Sequence, residues 1–367
     1  MQGDVIIHVP FLCLNKKTMQ IKELGEFGLI DRLTKDFPIV NKSTELSVGD
    51  DCAILDYTGK KTLVTKDLLL EGVHFDLTYC PLLHLGYKSA IVNFSDVYAM
   101  NGRPKQMVVG LGISSKLCVE DLDELYAGMK IACEEHGVDL IGGDTTASLT
   151  GLTISITCIG EGEEGKIVKR SGAKDTDLIC VTGDLGAAYM GLLLLEREKE
   201  VFNAGKGTDP DFAGKEYLIE RQLKPRARKD IIESLERINV VPTSMMDISD
   251  GLSSELLHIC KASHVGCRIY EDRIPIDYLT AQMAEEMNMN MTMAAMNGGE
   301  DYELLFTIPL SMHDTFKALT EVTLPGVPRP DIKIIGHITA ENLGARMITR
   351  GGGEIDIQAQ GWNSLKE

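Results

Sequence analysis

No apolar run in the 367-residue chain approaches the ~20 residues that span a bilayer; the longest lies around Met190 to Leu195. Positive charge is also in short supply. There are 37 Lys and Arg against 55 Asp and Glu, a net charge of −18, which removes any general attraction for nucleic acid or an anionic membrane surface. The nine cysteines are odd in number and include no CxxC pair, so neither a zinc site nor a disulfide framework is expected. Cys133, Cys158 and Cys180 sit in apolar stretches and read as small core residues of a protein from a reducing cytoplasm. The first eighteen residues have no basic segment before their apolar patch and no small-residue cleavage site after it, so they do not read as a signal peptide. The familiar nucleotide signatures are missing too. Ala204-Gly205-Lys206-Gly207-Thr208 imitates part of a GxxxxGKS/T loop but lacks its first glycine, and no GxGxxG, HRD/DFG set, EF-hand loop or GxSxG occurs.

What remains is ordinary globular composition, 44% hydrophobic and 25% charged, at a length that suggests about two domains. Strand and helix signals alternate. Leu24, Phe27, Ile30, Leu33 and Phe37 give residues 22–37 a helical spacing. Residues 52–57 and 61–70 flank Thr58-Gly59-Lys60 and read as a hairpin. A largely buried helix is expected over 82–100, ended by Asn101-Gly102 and Pro104, and an amphipathic helix over 119–136, stopped by Gly137. QMVVGLGI, VDLIGG and LTISITCIG read as strands. The polar stretch at 161–166 marks a boundary, giving an extension at 1–18, one domain over 19–162 and a second over 163–367. Beyond it, the strands DLICVTG, SMMDIS, GCRIY, ELLFTIP and KIIGHI alternate with helices near 185–197, 227–238, 251–262, 277–288 and 311–321. A surface loop is expected at 199–215. The alternation predicts α/β layers with two cores.

The chemistry is carried by acidic residues at the ends of apolar runs: Asp50 and Asp51 in VGDDCAIL, Asp67 in LVTKDLLLEGVHF, Asp96 in VNFSDVYAMN, Asp144 in LIGGDTTAS, and Asp247 and Asp250 in MMDISDGLSSE. Such ends reach a common rim. Two carboxylates 4 Å apart repel by ~4 kcal/mol at an effective dielectric of 20, a cost that divalent cations remove. The ligands are all hard oxygens, which suits Mg²⁺, and Mg²⁺ completes its shell with water and substrate phosphate. A polymetal site for a nucleoside triphosphate is the physical reading. Simpler readings stand beside it. Asp250 is a good helix N-cap, Asp50-Asp51 suits a turn, and Gly142-Gly143-Asp144 suits a strand exit. Asp96, inside an apolar helix, needs a partner or a metal. The amides of Thr182-Gly183-Asp184-Leu185-Gly186 suit a phosphate or simply a tight strand-to-helix turn.

Taken in order, GDDCAIL, KDLLLEGVHF, LGYKSAIVNFSDVYAMNGRP, LIGGDTT, KRSGAKDTD, DISDGLSSELLHI and NGGEDYELLFT resemble the thiamine-monophosphate kinase family from about Glu23 to Trp362. That family shares a superfamily with aminoimidazole-ribonucleotide synthetase, selenophosphate synthetase and a hydrogenase maturation factor. The resemblance implies a two-domain α/β fold of the aminoimidazole-ribonucleotide synthetase type. Its N-terminal sheet would pair across a homodimer, and a C-terminal α/β domain would lie beside it with ATP in a cleft. It implies ATP and several Mg²⁺ ions, and direct in-line conversion of thiamine monophosphate to thiamine diphosphate in the cytoplasm. Asp51, Thr65, Asp67, Asp96, Asp144, Asp247 and Asp250 match metal positions, with Asp96, Asp247 and Asp250 central to catalysis. Gly143, Asp144, Arg170 and Ser249 match nucleotide positions, and Tyr126 does so by spacing. His74, Glu300 and Trp362 match positions that line thiamine phosphate. Lys66, within Thr65-Lys66-Asp67, departs from a usual Thr and would displace a cation or touch a phosphate. Gly361-Trp362-Asn363-Ser364-Leu365 departs from an aromatic-rich ending, though Trp362 still suits stacking on a cationic ring. The alternatives are another ATP-using enzyme of the superfamily and a non-catalytic Mg-nucleotide-binding relative.

Overall fold

A computed structural model of the chain describes residues 29, 32–47, 54–205, 210–321 and 330–360. Residues 1–18, Asp50, Asp51 and Trp362 lie outside the described residues, and of the helix expected over 22–37 only Leu29 and 32–34 are described as helical. The chain divides into two units. The first gathers the described residues up to Val97, with Gly102–Glu164 and Arg197–Asp211. The second gathers Tyr98–Asn101, Gly165–Glu196 and the described residues from Phe212 onward.

In the first unit, β1 (Thr44–Leu46) and β2 (Ile54–Leu55) form a small antiparallel pair. Four longer strands, β3 (Lys61–Leu70), β4 (Arg103–Ser114), β5 (Asp139–Ser148) and β6 (Thr153–Gly162), form a sheet in the order β3-β6-β4-β5. Gly59 turns the chain at φ 85 and the Lys60 N–H reaches the Tyr57 carbonyl at 3.1 Å, yet the expected hairpin does not form. β3 pairs residue for residue with β6, from Lys61↔Gly162 to Leu70↔Thr153, while β2 pairs with β1. A ten-residue strand satisfies its backbone best against a ten-residue partner, and 54–55 offers two.

Helices α1 (Leu82–Ala99) and α2 (Val119–His136) pack on one face of this sheet. They touch backbone to backbone: a Cβ on Gly86 would stand 1.8 Å from the Leu125 carbonyl, and one on Gly128 1.9 Å from that of Leu83. α2 begins where Asp121 accepts the Cys118 N–H at 2.8 Å and ends at Gly137 in the left-handed region, φ 68, as its sequence indicated. The alternation of β3 buries Leu63 and Leu69 under the helices and leaves Val64 65% and Leu68 48% exposed on the other face.

The second unit holds β7 (Leu178–Thr182), α3 (Ala187–Ala204, its end counted with the first unit), α4 (Glu216–Leu223), α5 (Lys229–Arg237), β8 (Ser244–Asp247), α6 (Leu252–Ser263) and β9 (Val265–Tyr270). There follow α7 (Tyr278–Glu286), α8 (Met291–Asn297), β10 (Leu304–Ile308), α9 (His313–Glu321), β11 (Ile332–Ala340), β12 (Ala345–Ile348) and β13 (Glu354–Asp356). Its seven strands run β13-β12-β9-β11-β7-β10-β8, every neighbouring pair antiparallel except β9 with β12. Ile179, Val181, Ile248, Leu252, Ile269, Leu305, Ile335 and Ile338 meet in its core.

Several elements differ from expectation. The loop placed at 199–215 is helical as far as Ala204, because Arg197, Glu198, Lys199 and Glu200 are polar but good helix formers. The helix at 277–288 stops at Glu286, and α8 starts afresh where the Asn290 side chain accepts the N–H groups of Thr292 and Met293 at 2.8 and 3.2 Å. The strands β12 and β13 are too short to announce themselves by alternation. Among the described residues no helix is long and apolar enough to cross a membrane.

Candidate active site

In the first unit, α1 turns Asn93 and Asp96 toward β3, a pair set by the i, i+3 spacing of a helix face. Asn93 donates to the Ser89 carbonyl at 3.0 Å and accepts the Asp67 backbone N–H at 3.2 Å. Thr65 and Asp67, two apart on a strand, share that face, and the Thr65 hydroxyl donates to Asp96 at 2.5 Å. Burial, reinforced by the negative charge of Asp96, pushes the Asp67 carboxyl up to about 6. A buried carboxyl whose ionisation a neighbouring carboxylate disfavours, with the Thr65 hydroxyl beside the pair, fits a hard divalent cation. Asn93 went unnoticed in the sequence; its signal is a polar residue three before Asp96 in an apolar helix.

Lys66 lies elsewhere. The same alternation that pairs Thr65 with Asp67 sends Lys66 to the opposite face, where its ammonium donates to the Ser155 hydroxyl at 2.5 Å. It neither fills a cation position beside Asp96 nor joins that pair. Asp144 is exposed on β5, its carboxylate accepting the Thr145 N–H at 2.9 Å. β5 and β3 are opposite edges of the sheet, three strand spacings or roughly 14 Å apart. Gly143 beside it admits no side chain, since a Cβ would stand 2.1 Å from the Val109 carbonyl. Tyr126 is a core residue of α2, 8% exposed, edge-on to Phe37 at 6.3 Å, with its phenol pushed up to about 12 by burial. The spacing that suggested a nucleotide contact is equally the spacing of a buried helix face.

The loop after β3 is tied down by Glu71, which accepts the Leu152 N–H at 2.7 Å, and by Lys199, which reaches Asp76 at 2.7 Å. His74 Nδ1 accepts the Leu70 N–H at 3.1 Å. The neutral ring therefore carries its proton on Nε2, as a donor.

In the second unit the DISDG and GGEDYE segments extend the β8–β10 pairing. Ile248 donates to the Glu303 carbonyl at 2.8 Å, Tyr302 to that of Ile248 at 2.9 Å, and Glu300 to that of Ser249 at 2.8 Å. This lacing holds Glu300 at φ 67 and Tyr302 at φ 52. It leaves no room on Gly299, whose Cβ would stand 2.3 Å from the Ser249 carbonyl. Asp247, Ser249, Asp250 and Glu300 are thereby gathered on adjoining segments. Asp247 is buried at the end of β8; Asp250 is exposed. The N-cap reading of Asp250 fails. The cap of α6 is Gly251, φ 114, without a side-chain bond, and the Asp250 N–H donates to Glu255 at 3.1 Å. Burial, aided by the charges of Asp250 and Asp247 against two backbone donors, pushes Glu255 up to about 8. Gln222 holds the Glu300 carboxylate at 2.7 Å. Arg170 is exposed, with its carbonyl accepting from Ser263 at 3.2 Å.

Beneath this lies a buried ionic group. Glu303 accepts from Arg221 at 2.9 Å, from the Thr182 hydroxyl at 2.5 Å and from Arg228. Asp301 accepts the N–H groups of Gly186 and Ala188 at 2.7 and 3.3 Å. The Gly183 N–H goes to the Asp331 carbonyl at 2.9 Å and that of Leu185 to Pro275 at 3.0 Å. The N–H groups of Gly183, Leu185 and Gly186 are thus spent on the protein, which favours the turn reading over the phosphate reading. Among the described residues, no group of three or more His, Cys, Asp or Glu side chains is assembled that could hold a metal ion.

Comparison with known proteins decides the family. The thiamine-monophosphate kinase of Aquifex aeolicus (strain VF5) is 37% identical over 305 residues, 83% of this chain and 92% of its own. The chain belongs to the thiamine-monophosphate kinase family. The family's enzyme from Bacillus subtilis (strain 168) is 32% identical over 94% of this chain and 100% of its own. Residues 49–161 match AIR synthase related protein, N-terminal domain. The solved structure of AaThiL complexed with AMPPCP and TMP has a TM-score of 0.69, with 34% identity over 95% of this chain and 99% of that one. The Stenotrophomonas maltophilia K279a thiamine-monophosphate kinase has a TM-score of 0.74 at 28% identity, over 91% and 98%. The α/β fold expected from the sequence is the one that these structures share.

Proposed function

We infer that this chain transfers a phosphoryl group from ATP to thiamine monophosphate, giving thiamine diphosphate and ADP. The observation that carries the reading is the structural relative holding both an ATP analogue and TMP, which matches 95% of this chain at 34% identity. We further propose that Mg²⁺ is required, held by Asp67 and Asp96 with Asp51 and Asp144 from the first unit and by Asp247 and Asp250 from the second. Bound Mg²⁺ supplies charge neutralisation of the polyphosphate. The chain's own residues do the rest. The acceptor is already a phosphate oxyanion, so no strong base is needed, and catalysis is positioning plus electrostatics. Arg170, exposed and able to bind through a two-pronged fork, holds the donor phosphates with the Gly143 and Ser249 segments. His74 donates its Nε2–H to the acceptor phosphate. Glu300, fixed by Gln222, faces the polar or cationic part of thiamine, with Trp362 stacked on a ring. Transfer is direct and in line, without a phosphoenzyme.

Purified protein given ATP, Mg²⁺ and thiamine monophosphate should yield thiamine diphosphate and ADP in equal amounts by chromatography. ADP release without thiamine diphosphate would overturn the assignment. We assign 19–162 to the Mg-ATP and dimerisation half and 163–367 to a second, α/β half, in a cytoplasmic protein; the free, mostly buried cysteines among the described residues suit that compartment. The sheet face bearing Val64 and Leu68 is proposed to pair with a second copy, since exposed apolar side chains on a strand invite cover. The double variant Val64→Glu, Leu68→Glu should sediment as a monomer where the parent is a dimer; unchanged mass would refute this.

A further inference from the structure

The DISDG segment is followed by a carboxylate to which the proposed reaction assigns no task. Glu255 lies in the first turn of α6 and is 1% exposed. Its Oε1 accepts the Asp250 N–H at 3.1 Å. Its Oε2 is shielded from solvent and meets no hydrogen-bond partner among the described residues. Helix-start chemistry accounts for the first oxygen, because a side chain of the first turn reaches back to the N–H just ahead of the cap, much as in a capping box. It does not account for the second. An unpartnered buried carboxylate oxygen is costly, and here it is placed beside two more carboxylates, Asp247 and Asp250, which adds repulsion. A glutamine would serve the capping task without that repulsion.

We propose that Glu255 is a positioning residue of the cation site: Oε1 fixes the Asp247–Asp250 segment through the Asp250 backbone, and Oε2 accepts from water carried by the Mg²⁺ that Asp247 and Asp250 hold. Mg²⁺ gives up its water reluctantly and keeps several molecules when bound by one or two carboxylates. Carboxylates behind the direct ligands orient such shells. The inference rests on the reading of Asp247 and Asp250 as Mg²⁺ ligands.

The test is calorimetric titration of Mg²⁺ into the full chain with AMPPCP present, together with thermal melting with and without Mg²⁺. Glu255→Gln keeps the acceptor for Asp250 and should melt no lower than the parent without Mg²⁺. It should weaken the Mg²⁺ dependence of AMPPCP binding about 10–100-fold while leaving KM for thiamine monophosphate unchanged. A merely structural residue would move melting and leave the Mg²⁺ titration alone. Should the Gln variant not fold, Glu255→Asp keeps the charge, withdraws it by one methylene and is expected to show the same weakening. Parental Mg²⁺ affinity in Glu255→Gln, with Asp247→Asn impaired, overturns the proposal. Parental affinity in Asp247→Asn as well overturns instead the metal reading beneath it.

Discussion

Asp96→Asn should fold, should melt without Mg²⁺ no lower than the parent, and should lose more than about 100-fold in turnover, beyond what outer partners of a metal usually cost. The amide keeps an oxygen to accept from the Thr65 hydroxyl, now at 2.5 Å, so the link between α1 and β3 survives. What disappears is one of two negative charges. In the parent, burial and the Asp96 charge together raise Asp67, which means that the metal-free pair carries a repulsion the variant lacks. Melting and activity therefore move in opposite directions, a pattern that loss of fold does not produce. A variant that turns over like the parent would remove Asp96 from the chemistry.

Glu303→Gln should be the most damaging substitution in the second unit without touching a substrate. Glu303 is 2% exposed between Arg221 and Arg228, themselves 11% and 9–10% exposed. Removing the charge leaves buried Arg228 with the exposed Asp230 at 2.9 Å and largely buried Arg221 with Asp301 at 3.7 Å as their ionic partners, a loss of up to about 3–5 kcal/mol and, for a unit of this size, a melting temperature lower by as much as roughly 6–20 °C. The group also predicts a pH dependence. Burial alone would raise Glu303, but Arg228, Arg221 and the Thr182 hydroxyl outweigh it and hold the carboxyl below its ordinary value. Its folded pKa is depressed, so its contribution is present above about pH 4.3, the ordinary Glu value, and is lost as pH falls through the folded value. Asp301 runs the other way. Burial raises it to about 7, only partly countered by Arg221 and the Gly186 and Ala188 amides. Its contribution is complete below about pH 3.9 and is lost as pH rises through about 7. Urea midpoints against pH should show the parent losing stability below pH 4 more steeply than Glu303→Gln. Parallel curves, or a midpoint equal to the parent's at neutral pH, would count against the network.

Much of the fold is visible in local chemistry. α2, its Asp121 bond and its Gly137 stop depend on residues within a few positions of one another, and a helix end is a local event. β6 reads directly as alternating burial. Where prediction went astray, the deciding interaction was remote. The 52–57 segment is adjacent in sequence to β3, yet strand length and register sent β3 to Thr153–Gly162, more than eighty residues away. Lys199 and Glu200 are polar and fall in the segment expected to be a loop, though polarity alone does not distinguish a solvated helix face from a loop.

The same division applies to the site. The amino-acid order alone determined that aspartates recur at the ends of apolar segments, and by charge that they suit hard cations and phosphate. It determined too that Thr65 and Asp67 share a face, because a strand has a period of two. Only the tertiary structure decided that Lys66 meets the Ser155 hydroxyl, that Asn93 braces Asp67, and that Gly186 and Ala188 give their N–H groups to Asp301. It also showed that Glu255, rather than a cap from Asp250, opens α6. Each of those outcomes depends on which oxygen or N–H stands within about 3 Å of which, a distance set by the packing of segments far apart in the chain and absent from any local pattern.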